Sequence, residues 1–170
     1  MVKLNLPDKM NEIVISNSLN LKIKAVPIRF NDLIYTRDLK NINKSYFFFN
    51  KSITWRRHLS WWLQYKRQSN NYFYIIKIGE TNYGTFAIKF IENRWHVYSV
   101  IRDTKAKYRP LAMKETALFI LNLFANFGEI YASVLSSNKA LHWYYNVGFE
   151  EVEKFQNSTT IRYILKKDMI

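Results

Sequence analysis

The chain has 170 residues, carries 26 lysines and arginines against 13 acidic residues for a net charge of +13, and contains no cysteine. Its 48% hydrophobic and 17% aromatic content excludes a disordered chain and leaves room for one domain with a sizeable core. The missing thiol excludes disulfides, thiolate metal sites and a cysteine nucleophile; the charge asks for a polyanionic partner, nucleic acid or a small phosphorylated ligand, although no run of five or six basic residues makes a basic tail.

Residues 1–20 are polar, contain Pro7 and are rich in Asn. They read as a loosely attached N-terminal arm, with residues 21–170 forming the single domain. The arm lacks the apolar core segment and small-residue cleavage site of a secretory leader, so a cytoplasmic location is expected. Residues 21–29 alternate Leu21, Ile23 and Ala25 with Lys22 and Lys24, which predicts an opening strand. Residues 32–43 form a weak helix candidate, and Tyr46, Phe47, Phe48 and Phe49 make an aromatic cluster in a loop. Residues 54–68 predict a strong helix capped by Thr54, with Trp55, Leu59, Trp62 and Leu63 on its apolar face. His58 falls at the edge of that face, and Arg56, Arg57, Gln64 and Arg67 fall opposite.

A three-strand meander follows. Residues 72–78 and 85–91 flank a turn bounded by Gly79 and Gly84, and Glu92-Asn93 turns the chain into 94–101. Residues 111–127 predict a helix that is apolar nearly all round, hence buried, with Pro110 in its first turn and Gly128 at its end. Lys114, Glu115, Asn122 and Asn126 interrupt it, so no membrane span is expected. After a strand at 130–135, Ser137 or Asn138 caps a short helix. Ala140 and Tyr144 share one face of that helix at i,i+4 spacing. Gly148 supplies the left-handed residue that releases the chain into Phe149. Strands near 150–155 and 160–166 close the order β-α-α-β-β-β-α-β-α-β-β, an α/β domain with a mixed, mostly antiparallel twisted sheet flanked by helices.

The run Ser137-Asn138-Lys139-Ala140-Leu141-His142-Trp143-Tyr144-Tyr145-Asn146-Val147-Gly148-Phe149 resembles the block N-x-x-A-x-x-x-Y-x-x-x-G-F of the GNAT acyl-CoA N-acyltransferases, and the order of elements matches theirs. The resemblance implies direct acetyl transfer from acetyl-CoA to an amine, with no metal and no covalent enzyme intermediate. Tyr144 then stands as general acid beside the coenzyme A sulfur, a role suited to a phenol of ordinary pKa near 10. Tyr145 is the neighbour one residue off register. Ser137 occupies the strict Asn position with Asn138 displaced by one, so either can contact pantetheine. The family's Q/R-x-x-G-x-G/A loop corresponds to Lys105-Ala106-Lys107-Tyr108-Arg109-Pro110-Leu111-Ala112-Met113. Its glycines are missing and Pro110 removes one N–H. Leu111, Ala112 and Met113 with the cations Lys107 and Arg109 remain to hold the pyrophosphate at the helix start. His96 stands where the family's strand carries an acidic residue, and its imidazole suits a general base. The backbone of Val100, Ile101 and Arg102 is expected to pair with the pantetheine arm, and an N–H near Val97–Ser99 to polarise the thioester.

Upstream, Tyr35-Thr36-Arg37-Asp38, Tyr46-Phe47-Phe48-Phe49 and Ile53-Thr54-Trp55-Arg56-Arg57-His58-Leu59-Ser60-Trp61-Trp62 resemble the W-R-N…F…I-T-x-x-x-H-L-x-W arrangement of bacterial N-acetyltransferases acting on nucleotide-linked 4-amino-4,6-dideoxy sugars of the pseudaminic-acid type. This implies a UDP- or dTDP-linked amino sugar as acceptor in surface-polysaccharide synthesis. Phe47, Phe49 or Trp62 can stack on the base, Arg37, Arg56 or Lys51 can neutralise the diphosphate, and His58 can meet the sugar. The same aromatics also suit a core. A protein N-terminus or a small polyamine is the alternative acceptor. A basic nucleic-acid-binding protein is the rival from another class, not the preferred reading. A homodimer and the acyl-chain length are left open.

Overall fold

A computed structural model of the chain describes residues 8, 9, 11–107 and 110–164. Arg109, expected to help hold a pyrophosphate, lies outside the described residues. Eight strands form one sheet in the order β1-β2-β3-β4-β5-β6-β8-β7. They are β1 Ile13–Ile15, β2 Ile23–Pro27, β3 Asn71–Ile78, β4 Thr81–Ile91, β5 Arg94–Arg102, β6 Ile130–Leu135, β7 Phe149–Lys154 and β8 Ser158–Tyr163. The β5–β6 pairing is parallel and the other pairings are antiparallel. Helices α1 (Leu33–Ile42), α2 (Trp55–Arg67), α3 (Leu111–Ala125) and α4 (Ala140–Asn146) flank it.

Strand β3 explains the layering. Its sequence is apolar almost without interruption, as a strand covered on both faces must be. Tyr72, Tyr74, Ile76 and Ile78 share a core with Ala112, Met113, Ala117, Ile120, Leu121 and Phe124 of α3. The alternate residues Phe73 and Ile75 join Leu33 of α1 and Tyr65 of α2 in a second core. Trp95, wholly buried, anchors the first, with its ring 4.8 Å from Phe124 and 4.9 Å from Phe90. Full burial of such a side chain contributes roughly 1.5–3 kcal/mol.

Three expectations change. The described part of the arm is attached: Ile13–Ile15 adds an antiparallel strand to β2, and the Lys9 ammonium donates to the Tyr65 carbonyl at 2.8 Å. Helix α2 is capped by Thr54, whose hydroxyl accepts from Arg57 N–H, but its buried face runs through His58, Trp61 and Tyr65. Trp55 and Leu63 are exposed. Trp61 stacks between His58 (5.0 Å) and Tyr65 (5.7 Å), so packing under α1 rotated the face that hydrophobicity alone selects. Finally, the β3–β4 turn is only Gly79-Glu80, and Gly84 lies inside β4. A Cβ there would meet the Ile101 carbonyl and the Met113 methyl, so this glycine admits the close approach of β5 and the first turn of α3.

Candidate active site

The parallel ladder between β5 and β6 stops early. Trp95, His96 and Val97 pair with Ile130, Tyr131 and Ala132, and no further rungs follow. On its other side β5 remains paired with β4 out to Arg102, through a register shift that leaves Tyr98 as the extra residue of a bulge. Bulges increase local twist and bend the strand that holds them. Beyond Val97 the two strands therefore part, and the backbone of residues 98–102 faces β6 without a partner.

A cleft of about 420 Å³ occupies the gap. Neighbouring residues Val97, Tyr98, Val100, Ile101 and Arg102 all line it. In a strand seen face-on only alternate residues could do so; here the open edge is the wall. Ser133 and Val134 of β6 form the opposite side, and Ala140 and Tyr144 come from α4. The i,i+4 spacing places these two together, as expected. Asn43, Tyr46, Phe47 and Phe48, from the segment between α1 and α2, complete the lining.

Tyr144 is half-buried, packed edge-on to Trp143 (5.2 Å) and Phe149 (5.3 Å). Burial pushes its phenol well above the ordinary tyrosine value, so it is protonated at neutral pH. Among the described residues no hydrogen bond holds that proton. Tyr145 points elsewhere and donates to Glu151 Oε2 at 3.3 Å. Of the two candidates at the head of α4, Asn138 lines the cleft and Ser137 is exposed outside it. Asn138 Oδ1 accepts from Ala140 N–H at 2.9 Å, satisfying one of the free amides of the first turn.

His96 is not brought to the cleft. It lies where β5 is still paired on both sides, opposite Lys89 and Tyr131, with its Nε2 buried and without a hydrogen bond. Burial first, then Arg94 and Lys89, lowers its pKa. The imidazole that stands where the family pattern has a carboxylate therefore does not line the cleft. No carboxylate or imidazole lines the cleft among the described residues.

Of the acceptor residues, Phe47 alone lines the cleft. Arg37 is held by Asp38 (2.9 and 2.7 Å). Phe49 lies under the Arg57 guanidinium at 4.0 Å. Trp62 packs against Phe30 at 5.4 Å. His58 is buried, with its Nε2 2.9 Å from the Thr36 hydroxyl, which also donates to the Leu33 carbonyl. Both bonds are satisfied when Nε2 carries the proton. Burial, then Lys40 and Arg37, lowers the His58 pKa to about 4. It is a neutral tie between α1 and α2. His58 is thus part of the packing between α1 and α2, whereas Phe49 is exposed outside the cleft.

The two ends of the cleft differ in what they offer a ligand. The unpaired edge of β5 at Val100, Ile101 and Arg102 suits the amides of a pantetheine arm. At the start of α3, the Pro110 carbonyl accepts from Met113 N–H (3.1 Å) and Lys114 N–H (3.4 Å). The Met113 amide is thus committed, and the amides of Leu111 and Ala112, with exposed Lys107, are left to meet a pyrophosphate. Asn43, Thr104, Ser133, Val134 and Lys139 line the cleft and carry no mark in the sequence. Tyr46 and Phe48 belong to the aromatic cluster that the sequence shows, and Tyr98 lies in the stretch expected to polarise the thioester, but its bulge has no sequence mark.

No protein-family model matches this sequence, and no curated protein sequence matches it. Solved structures that share the fold include FdhC, a nucleotide-linked sugar GNAT, at 19% identity, covering 83% of this chain and 85% of that one with a TM-score of 0.69. The spermidine N-acetyltransferase of Vibrio cholerae, in complex with CoA and spermine, is 16% identical, covering 82% and 94% with a TM-score of 0.70. The PaiA N-acetyltransferase of Thermoplasma acidophilum, in complex with coenzyme A, is 12% identical, covering 83% and 98% with a TM-score of 0.61. The chain therefore has the GNAT fold.

Proposed function

We infer that the protein is an acetyl-CoA-dependent N-acetyltransferase acting directly on the amine of a nucleotide-activated amino sugar. The observation that carries this reading is Tyr144, with Ala140 beside it, facing a slot walled by the parted edges of β5 and β6. Acetyl-CoA supplies the activated acyl group. The β5 edge holds an extended arm in strand fashion, and Tyr144 delivers a proton to the departing sulfur. With no carboxylate or imidazole lining the cleft among the described residues, the acceptor amine surrenders its proton to solvent. FdhC, a nucleotide-linked sugar GNAT, supports the sugar acceptor, as does the aromatic segment at Tyr46, Phe47 and Phe48 over the cleft. A polyamine fits poorly: Arg102 and Lys139 line the cleft, no carboxylate among the described residues does, and the chain carries +13.

The test is thiol release from acetyl-CoA with UDP- and dTDP-linked amino sugars, spermidine and peptides as acceptors, beside a thermal shift with acetyl-CoA alone. Turnover with the sugar nucleotides is expected. Steeply salt-sensitive oligonucleotide binding with no acetyl-CoA shift would replace this reading with a nucleic-acid-binding one. Among the described residues no helix is long and apolar enough to cross a membrane.

A further inference from the structure

A second cavity of about 390 Å³ lies on the α1–α2 side of the sheet, and Tyr98 lines both it and the cleft. The last turn of α1 serves both spaces, with Lys40 lining the second and Asn43, three residues on, lining the first. Two cations face this cavity, Lys40 and Lys89, together with the amide of Gln64. The Lys40 ammonium stands 5.3, 5.4 and 6.0 Å from the ring centroids of Trp61, Phe73 and Tyr98. The Lys89 ammonium stands 5.5 Å from the same Tyr98 ring.

Among the described residues no carboxylate or hydrogen-bond acceptor meets Lys40. Asp38, on the same helix, is taken by Arg37. Desolvation lowers the Lys40 pKa to about 8, which means that the fold bears a cost to keep a cation there. Ring faces offset part of that cost, and the Lys89 ammonium reaches the same Tyr98 ring. An anion held by the two lysines would offset the desolvation of Lys40.

The geometry points to an oxyanion site in this cavity: a phosphoryl group of the acceptor sits between Lys40 and Lys89 while the acceptor's amine reaches the cleft past Tyr98. This rests on the transferase reading for the amine, but not for the anion. It also accounts for Arg37, Phe49, His58 and Trp62 having no place in the cleft. The residues that meet the acceptor lie one turn further along α1 and on β4, where no local pattern marks them.

The experiment is calorimetric titration of inorganic pyrophosphate, UDP and malonate into the full chain, with and without saturating acetyl-CoA. Without acetyl-CoA the start of α3 also offers pyrophosphate a site; with acetyl-CoA saturating it, one pyrophosphate site is expected to remain. Lys40→Met and Lys89→Met should each weaken it at least tenfold, and Lys154→Met, on the far edge strand, should not. UDP should bind through the same two lysines, more tightly than malonate. Ligand-free Lys40→Met should melt higher than wild type, which separates lost binding from lost folding. Loss of all pyrophosphate binding in saturating acetyl-CoA, insensitivity of the remaining site to both lysine variants, or preference for malonate would each overturn the proposal. If acetyl-CoA fails to bind while pyrophosphate still needs Lys40 and Lys89, the transferase reading falls and the anion site stands. The opposite pair of results removes the anion site alone.

Discussion

Asn138 donates its side-chain amide to the Tyr46 carbonyl at 3.2 Å while its Oδ1 accepts from Ala140 N–H at 2.9 Å. One side chain thus joins the helix carrying Tyr144 to the aromatic segment across the cleft. Asn138→Asp keeps the acceptor and loses the donor; Asn138→Ala loses both. Each bond is worth about 0.5–1.5 kcal/mol. Hydrogen exchange should accelerate over residues 44–53 in both variants, and over the start of α4 only in Asn138→Ala. Protection of residues 44–53 equal to wild type in both would dissociate Asn138 from the loop.

Tyr144→Phe removes the one unshared phenolic proton of α4 that faces the cleft. Turnover should fall tenfold or more, while acetyl-CoA binding stays within about twofold, because the ring and its packing on Trp143 and Phe149 are kept. Wild-type kcat in this variant would remove Tyr144 from the chemistry.

His96→Ala should leave the pH–rate profile of kcat/KM unchanged, since His96 sits where β5 is paired on both sides. With no carboxylate or imidazole lining the cleft among the described residues, that profile should instead follow the pKa of the acceptor amine and move when acceptors of different amine pKa are compared. A fixed limb common to all acceptors and abolished in His96→Ala would restore His96 as base.

His58 makes stability pH-dependent. Its unfolded value is about 6.5 and its folded value about 4, so between these the unfolded chain takes up the proton and the folded one does not. Stability present above about 6.5 is lost as pH falls toward 4, by on the order of 3 kcal/mol at most. Lys40 and Arg37 deepen this shift and Asp38 opposes it. Denaturation midpoints measured across that window should decline in wild type and flatten in His58→Phe; parallel curves would refute the assignment.

Gly84→Ala should destabilise by about 1–3 kcal/mol, because the added methyl would meet the Ile101 backbone carbonyl as well as the Met113 side chain. Urea denaturation gives the number. A neutral effect would mean that β5 and α3 yield without loss, against the packing described here.

What could be read in advance was local. Thr54 caps α2 because an oxygen three residues before a free N–H needs nothing else. The strand Ile130–Leu135 and the left-handed Gly148, at φ +99°, lie where the pattern puts them. Positions that depend on a distant partner are not legible in this way. Of the α2 face that hydrophobicity selects, Leu59 and Trp62 pack against the second core while Trp55 and Leu63 are exposed, and His58 is inside, where Thr36 of α1 meets it in a hydrogen bond. His96 and Val100 lie on one strand, and only the second reaches the cleft.

The sequence by itself determined the order of elements from residue 21 onward, the register of Ala140 and Tyr144, and the absence of thiol chemistry, because each depends on residues a few positions apart. Tertiary structure alone decided where the sheet opens, through a bulge at Tyr98 and a parallel ladder to a strand beginning at residue 130. It also gathered Lys40 and Lys89 around one ring, and brought Asn138 to Tyr46 across 92 positions of chain. Contacts of that separation are fixed by how whole layers pack, and no window of neighbouring residues carries them.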